Sequence, residues 1–189
     1  MITTERLILR LWKDEDFQPY AEINADPRVR EFFPTILTRE KSDAEVRHIQ
    51  SAYARDGFTM FAAELIATGE FIGFIGMVTM TFAVPGLAQP SIEIGWRLAH
   101  NHWGKGFATE GALGVIRYGF ETVKLKEIVA ITVPANVRSR HVMEKIGMKH
   151  FPDLDFDHPR IPEGHPLRKH VLYRVKNDVT PEVVIGIFR

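Results

Sequence analysis

The sequence predicts an α/β (α+β) fold built on one mixed sheet, and two observations lead to this class. Several short segments are rich in branched and aromatic residues and are bounded by turn residues, which is typical of strands. Longer segments carry apolar residues at helical spacing, which is typical of amphipathic helices. Along the chain, a strand is followed by helices, strands, a helix, a strand, a helix and further strands. This order is typical of a mixed sheet that helices flank.

Capping and turn residues define the elements of the first half. Asp14 and Thr38 can cap helices, because their side-chain oxygens can accept hydrogen bonds from the free N–H groups of a first turn. Pro27 favours a short turn between these two helices, and Gly57 can end the second helix in a left-handed conformation. The predicted elements are a strand at 7–12, helices at 15–25 and from Thr38 to 55, and strands at 58–66 and 70–82.

The second half alternates strands with two further helices. Asn136 can cap the second of these helices, and Gly147 can end it. The predicted elements are strands at 91–98, 127–133, 148–151 and 170–175, helices at about 105–122 and 136–146, and a polar loop with four prolines at 152–169.

Composition limits the class of protein. The chain has 189 residues, which suits a single domain over residues 1–189, and 45% of them are hydrophobic, enough for a core. Lys+Arg and Asp+Glu both number 24, so the formal net charge is zero, which argues against a protein that binds duplexes by neutralising phosphates. The start carries no secretory signal, and there are no cysteines. We expect a cytoplasmic protein without a nucleic-acid partner.

Residues 71–92 raise the possibility of a membrane span, since they carry no charge and are long enough to cross a bilayer. Turn-forming residues at Pro85, Gly86 and Pro90 interrupt this segment. Two strands joined by a loop therefore fit better than one helix, and a membrane partner is not expected.

A metal site is not expected either. His158, His165 and His170 are irregularly spaced. Zinc sites often combine histidine with cysteine, and this chain has no cysteine. The alternating aspartates that begin at Asp153 are followed by neither the glycine nor the final glutamate of a calcium loop.

The most informative stretch reads Trp-Gly-Lys-Gly-Phe-Ala-Thr-Glu from Trp103 to Glu110, where a strand gives way to a helix. Glycine permits unusual backbone dihedrals and close approach. The first N–H groups of a helix have no internal partner, and together with the helix dipole they attract anions. The pattern matches neither a P-loop nor a dinucleotide-binding fingerprint. It predicts a phosphate or pyrophosphate site, and the alternative is a plain helix start.

Four blocks together resemble the GNAT superfamily of N-acetyltransferases. They are Ile92 to Ala99, Trp103 to Glu110, Asn136 to Ser139 and Met143 to Met148. The opening, Thr4 to Arg10, is similar to the Rim-type branch, which acetylates the N-termini of ribosomal proteins. The phosphate loop of the superfamily often begins with Gln or Arg, whereas this chain has Trp103. An aromatic residue is common there in the Rim-type branch.

The resemblance implies a mostly antiparallel central sheet with splayed central strands and acetyl-CoA as co-substrate. Backbone groups after Trp103 would hold the pyrophosphate, the backbone of the fourth strand would pair with the pantetheine arm, and the amide of Asn136 would contact that arm. The implied cofactor-binding residues are Trp96, Leu98, Trp103, Gly104, Lys105, Gly106, Ala108, Thr109 and Asn136.

The resemblance also suggests catalytic groups. Glu93 would act as general base, because an ammonium cannot attack a thioester until it loses a proton. A backbone N–H near Trp96 would stabilise the oxyanion. Ser139 or Tyr173 would protonate the leaving thiolate. The alternatives are a solvated glutamate at position 93 and, for Asn136 and Ser139, simple helix capping and first-turn polarity.

The predicted function is transfer of acetyl from acetyl-CoA to a primary amine by direct attack in a ternary complex, without metal. The amine belongs to a protein N-terminus or a small molecule. The alternatives are an amino-sugar or antibiotic acetyltransferase and a non-catalytic CoA-binding sensor or interaction module. The irregular stretches 32–38, 82–90 and 152–169 would select the acceptor. The apolar residues 183–188 would form an edge strand or the contact of a homodimer.

Overall fold

The structure is a computed structural model that describes residues 1–177. Within that range the chain forms nine strands and four α-helices. The strands are β1 (Ile2–Thr3), β2 (Leu7–Arg10), β3 (Met60–Leu65), β4 (Phe71–Thr79), β5 (Ile92–Leu98), β6 (Glu127–Thr132), β7 (Lys149–His150), β8 (Phe156–Asp157) and β9 (Lys169–Lys176). The helices are α1 (Phe17–Ala25), α2 (Arg39–Asp56), α3 (Phe107–Glu121) and α4 (Val137–Lys145).

The strands form one mixed sheet in the order β1-β2-β3-β4-β5-β6-β9-β7, and β8 pairs with β9 outside this path. Within residues 1–177, β5 and β6 are the only parallel neighbours, and every other recorded pairing is antiparallel. The predicted fold class is confirmed.

The two faces of the sheet bury different clusters. The cluster on the α3 side, here called the α3-face cluster, includes Leu7, Ile75, Met77, Ile94, Leu113, Ile116, Ile128, Met143 and Tyr173. The cluster beneath α1 and α2 consists of Trp12, Tyr20, Val46, Ile49, Ala62 and Phe74. Successive strand residues point to opposite faces of the sheet. The β5 residues that belong to the α3-face cluster therefore show which side chains of β5 face α3, and the alternate residues face the other side.

The sheet opens like a fork between β5 and β6. The β4–β5 ladder runs through seven residue pairs, from Gly73–Leu98 to Thr79–Ile92. By contrast, β5 and β6 pair only at Glu93 and Val129. The two strands therefore diverge from Glu93 toward Leu98, which confirms the predicted splay.

Several predicted boundaries were wrong, and the structure gives the reasons. The strand predicted at 70–82 ends at Thr79. The Met80 N–H still donates to the Ser91 carbonyl at 2.9 Å, and beyond this bond the chain leaves the sheet. The loop predicted at 152–169 contains the strand β8. This strand forms because β9 pairs with it, whereas its own residues show no strand pattern. The two-residue strand β1 was missed because alternation cannot be recognised over so short a segment.

The predicted cap at Asp14 was also wrong. Asp14 to Asp16 form a 3-10 turn, and α1 follows at Phe17. The carboxylate that makes hydrogen bonds at this turn is that of Asp16. It accepts from the Lys13 N–H at 2.8 Å and pairs with Arg10 at 2.7 Å. Thr38 does cap α2, and Gly57 ends it in the left-handed region with φ +75°.

In residues 1–177 no helix combines the length and apolar character that crossing a bilayer would require. The apolar segment 183–188, predicted as an edge strand or subunit contact, lies outside the described residues.

Candidate active site

The loop before α3 has the backbone of an anion site. Gly104 and Gly106 adopt φ +73° and φ +83°, values that favour glycine. Gly106 stands at the helix start without any side-chain cap, and its carbonyl accepts the N–H of Glu110 at 3.0 Å. The N–H groups of the first three helical residues therefore have no intrahelical partner, and they lie at the positive end of a 15-residue helix.

Space around this loop suits a phosphate group. A Cβ added to Gly104 would meet nothing within 4 Å, so this side of the loop is open. Lys105 is exposed and adds a mobile positive charge. The residues present thus fit a diphosphate such as that of CoA, bound by main-chain N–H groups.

An ion pair from the beginning of the chain holds this loop, and sequence reasoning missed its role. The Arg6 Nη1 donates to the Lys105 carbonyl at 3.0 Å, and its Nε donates to Glu110 at 2.6 Å. Glu110 also accepts from the Arg6 N–H at 2.7 Å and from the Thr4 hydroxyl at 2.6 Å. Burial opposes ionisation, but these hydrogen bonds hold the pKa of Glu110 below its usual value. Thr4, Arg6 and Glu110 all lie in blocks that carry the family resemblance, which was the available signal.

Replacing Glu110 with glutamine is expected to weaken CoA binding. The substitution removes the charge that orients Arg6, so the Lys105 carbonyl and the following N–H groups lose their support. We expect the Kd for CoA, measured by calorimetry, to rise about tenfold, or ~1.4 kcal/mol. Asp56→Asn is the control, because Asp56 pairs with Arg55 at the end of α2. Equal affinities in the two folded variants would contradict this positioning role.

The backbone of β5 presents alternate residues to the gap. The Ala99 N–H donates to the Ile72 carbonyl at 2.9 Å, and the Ser91 carbonyl accepts from the Met80 N–H at 2.9 Å. Odd-numbered residues of β5 therefore turn their backbone groups toward β4, and even-numbered residues turn them toward β6. Trp96 and Leu98 are even-numbered and lie beyond the Glu93–Val129 pair, so their backbone groups face the gap.

Trp103 ties the loop to the end of β5. Its indole N–H donates to the Leu98 carbonyl at 2.8 Å, so this carbonyl already has one partner, whereas the Leu98 N–H faces the gap. The guanidinium of Arg138, at the start of α4, lies 4.9 Å from the centre of the Trp103 ring. The same guanidinium pairs with Glu31 in the α1–α2 connection. These contacts bring the loop, α4 and that connection together at the mouth of the fork.

Glu93 lies where the fork begins. Its neighbours Ile92 and Ile94 belong to the α3-face cluster, so the Glu93 side chain points to the opposite face. It is partly buried, and this burial raises its pKa to about 7, although the positive charge of Arg160 works in the opposite direction. A carboxyl group with that pKa can exchange a proton with an amine near neutral pH.

Asn136 and Ser139 lie on the other side of the gap, at the start of α4. The Asn136 Oδ1 accepts from the Ser139 N–H at 3.2 Å, so the predicted capping role of Asn136 is confirmed. Its Nδ2 donates to the Thr132 hydroxyl at 3.0 Å. The Asn136 amide therefore already has a partner on each of its ends, which leaves one N–H and the second lone pair of Oδ1 for any contact with a cofactor arm.

Tyr173 has a different environment from the other predicted catalytic groups. It is only 1% exposed, and its hydroxyl accepts from Arg140 Nε at 3.1 Å and donates to Glu144 at 3.1 Å. It belongs to the α3-face cluster, whereas Glu93 faces the other side of the sheet. The fold thus brings Trp96, Leu98 and Glu93 together along one strand, but it does not place Tyr173 on the same face as Glu93.

Comparison with known proteins gives consistent results. Residues 6–149 match the family model described as an acetyltransferase (GNAT) domain. The uncharacterized N-acetyltransferase YnaD of Bacillus subtilis (strain 168) is 32% identical over 149 residues, which cover 78% of this chain and 82% of that protein. The crystal structure of an acetyltransferase from Agrobacterium tumefaciens str. C58 superposes with a TM-score of 0.74 at 29% identity, over 92% of each chain. Mycobacterium smegmatis RimJ in complex with CoA-disulfide shares the fold, with a TM-score of 0.72 at 22% identity over 96% of this chain and 87% of that chain.

Proposed function

Because this chain belongs to the GNAT family of acetyl-CoA-dependent acetyltransferases, we propose that its acceptor is a primary amine that attacks directly in a ternary complex. The observation that carries the proposal is the fork between β5 and β6, which begins at Glu93 and widens toward the glycine loop. A cofactor arm that lies in the fork is then within reach of both the anion site and the carboxylate. The acceptor is the N-terminus of a protein or a small-molecule amine.

The binding roles follow from the geometry. The N–H groups at the start of α3 would hold the diphosphate of acetyl-CoA, with Lys105 contributing charge. Backbone groups of Trp96 and Leu98 would pair with the pantetheine arm as a neighbouring strand would. The RimJ structure, solved with CoA-disulfide, supports a cofactor site on this fold. When bound, acetyl-CoA supplies an acetyl group activated as a thioester.

The catalytic roles that we propose rest on position along β5. Glu93 removes the proton from the acceptor ammonium, directly or through a water molecule. The Trp96 N–H, which faces the gap, donates to the carbonyl oxygen on which negative charge develops. The chain has no cysteine, so the commonest covalent acyl carrier is missing and direct attack is favoured. Proximity of the two bound substrates supplies much of the remaining rate enhancement.

For the proton that the leaving thiolate takes up, we propose Ser139 as donor over Tyr173. Ser139 is partly exposed on the first turn of α4 beside the gap, whereas the Tyr173 hydroxyl is buried and has two partners. Ser139→Ala is expected to lower kcat about tenfold with little change in the KM for acetyl-CoA. Tyr173→Phe is expected to lower the Tm by a few degrees, since Arg140 and Glu144 lose their shared partner, while kcat stays within about twofold. The reverse pattern in steady-state kinetics would make Tyr173 the acid.

The proposed function is tested by incubating the protein with acetyl-CoA and a panel of peptides and small amines. Release of free CoA thiol and acetylation of the amine, seen by mass spectrometry, are measured together. Equal amounts of both products support amine transfer, and dependence on peptide length favours a protein N-terminus. Tight CoA binding without transfer to any amine would favour the sensor instead.

A further inference from the structure

A buried group of charged and polar residues lies under the connection between α1 and α2. This arginine cluster consists of the buried residues Arg30, Arg97, Tyr20 and Asn24 and of Glu45, whose side chain is 33% exposed. Arg97 projects from β5 and is 9% exposed, and Arg30 is 8% exposed. The Arg97 Nη1 donates to the Tyr20 hydroxyl at 2.7 Å, to Asn24 Oδ1 at 2.9 Å and to Glu45 at 2.9 Å.

The cluster holds more positive than negative charge. Burial raises the pKa of Tyr20 well above its usual value, so its hydroxyl is neutral. Burial and the charge of Arg97 lower the pKa of Arg30 to about 10, which leaves it cationic at pH 7. Burial works against ionisation of Glu45, yet the charge of Arg97 holds its pKa below the usual value. Two guanidinium groups thus share one carboxylate, although buried charges are costly unless they are paired.

One donor in this cluster has no acceptor. Within residues 1–177, the Arg97 Nε is buried and makes no hydrogen bond. A buried donor without a partner costs free energy, and it identifies a position where an acceptor would be stabilised. The unpaired donor and the surplus charge are independent observations, and both favour binding of an anion at this position.

A single aromatic ring covers the two guanidinium groups. The ring centre of Phe33 lies 4.1 Å from the guanidinium of Arg30 and 4.6 Å from that of Arg97. Phe33 itself is 37% exposed. The Nε of Arg30 donates to the Thr35 carbonyl at 2.9 Å, which fixes this connecting segment over the cluster. Phe33 is thus the exposed ring on both guanidinium groups, and the buried ring of Phe74 lies 5.1 Å from that of Arg97.

The cluster shares a sheet face with Glu93. Residues 93, 95 and 97 of β5 point to the same side, and position 95 is a glycine. No side chain of β5 therefore stands between Glu93 and Arg97. The atom nearest to the position of a Cβ at Gly95 is the terminal methyl of Met60, at 3.1 Å, which belongs to a flexible side chain. Four residues of an extended strand span about 13 Å. A ligand that reaches from Glu93 to Arg97 must therefore have its two charged groups several bonds apart.

We propose that the arginine cluster binds a carboxylate of the acceptor, so that the acceptor is an amine that also carries a carboxylate several bonds away. This inference rests on the proposed function, because it takes Glu93 as the position of the acceptor amine. The carboxylate belongs to a free amino acid whose amine is remote from its acid, or to an acidic side chain near a peptide N-terminus. Both sources present the same ammonium and carboxylate pair.

The test compares acceptors that differ only in charge. For the first source, ε-aminocaproate is compared with its neutral amide, and for the second, the peptide Ala-Ala-Glu-amide with Ala-Ala-Gln-amide. We expect the wild type to prefer the carboxylate member of at least one pair by about tenfold in kcat/KM, the effect of one charge-assisted contact. The pair that shows the preference identifies the source.

Two substitutions with opposite expected effects separate binding from mere structure. Arg30→Gln removes one positive charge and should abolish the preference, mainly through the KM of the carboxylate acceptor. Glu45→Gln removes the competing carboxylate and should keep or increase the preference. Arg28→Gln is the matched control, since Arg28 lies in the same segment but is exposed and paired with Asp26. Thermal unfolding establishes that each variant is folded.

A binding measurement keeps this inference separate from the proposed function. N-acetyl-ε-aminocaproate and its amide are titrated calorimetrically into the protein saturated with CoA. Binding of the acid supports the carboxylate site if Arg30→Gln reduces the affinity about tenfold or more. This conclusion holds even if no amine is acetylated. Absence of acetylation would refute only the proposed function. Transfer without carboxylate preference in either acceptor pair would overturn the inference, and so would absence of binding by the acid when neither pair shows a preference. Parallel losses in the Arg30 and Glu45 variants would also overturn it.

Discussion

Replacing Glu93 with glutamine is expected to lower kcat by about 100-fold or more, the usual contribution of a positioned general base. Glutamine keeps the size of the side chain but cannot accept the ammonium proton. The backbone of Trp96 and the glycine loop stay in place, so the KM for acetyl-CoA should change little. Steady-state kinetics with the best acceptor from the amine panel measure both parameters.

The pH profile sharpens this prediction. Since burial raises the pKa of Glu93 to about 7, the wild-type rate should rise with pH through that value as the carboxylate forms. The glutamine variant should lack this step, so its deficit is largest above pH 7 and smallest in mild acid. A variant with wild-type turnover at pH 8 would remove Glu93 from the mechanism.

Stability measurements provide the control. A carboxyl group whose pKa is raised on folding binds more protons in the folded state, so stability falls as pH rises from its unfolded value through about 7. Glutamine removes this penalty. We therefore expect Glu93→Gln to be at least as stable as the wild type at pH 8, which would exclude unfolding as the cause of lost activity.

Gly106→Leu is expected to abolish CoA binding while the protein remains folded. Gly106 has φ +83°, where any side chain is strained, and a Cβ there would lie 3.3 Å from the Arg6 Nη2. The substitution therefore disturbs both the free N–H groups of α3 and the arginine that supports them. Loss of several charge-assisted contacts should raise the Kd for CoA by about 100-fold or more, or ~2.7 kcal/mol.

Gly57→Leu is the matched control for backbone strain. Gly57 has φ +75° and no atom within 4 Å of an added Cβ, and it ends α2 away from the glycine loop. Both variants should lose a similar amount of stability, about 1–2 kcal/mol, from the left-handed backbone. Calorimetric titration should show CoA binding only in the Gly57 variant. Retained affinity in folded Gly106→Leu would place the diphosphate elsewhere.

Local signals allowed part of the site to be predicted. Glycines at 104 and 106, the alternation around Glu93 and the Asn136 cap are each properties of a few neighbouring residues, and the structure has these local features. The pairing of Arg6 with Glu110 joins residues 104 positions apart, so no periodicity could predict it. Only the family resemblance had brought those two segments together.

Other features depended on contacts that a sequence does not display. Alternation shows that Glu93 and Ile94 face opposite sides, but it does not show that Tyr173 shares the side of Ile94. The charge surplus around Arg97 arises because α1, α2 and β5 meet there, and each arginine alone resembles an ordinary surface charge. Short strands such as β8 form only because β9 offers a partner.

The bond between the Trp103 indole and the Leu98 carbonyl gives the open edge of β5 a polarity. Near the glycine loop the Leu98 carbonyl already accepts the indole N–H, whereas at Trp96 both backbone groups can pair with a ligand. If an amide-containing molecule bound along this edge in the opposite direction, its own N–H would face the Leu98 N–H at the loop end. One tryptophan side chain thereby favours one orientation of a ligand that extends the sheet.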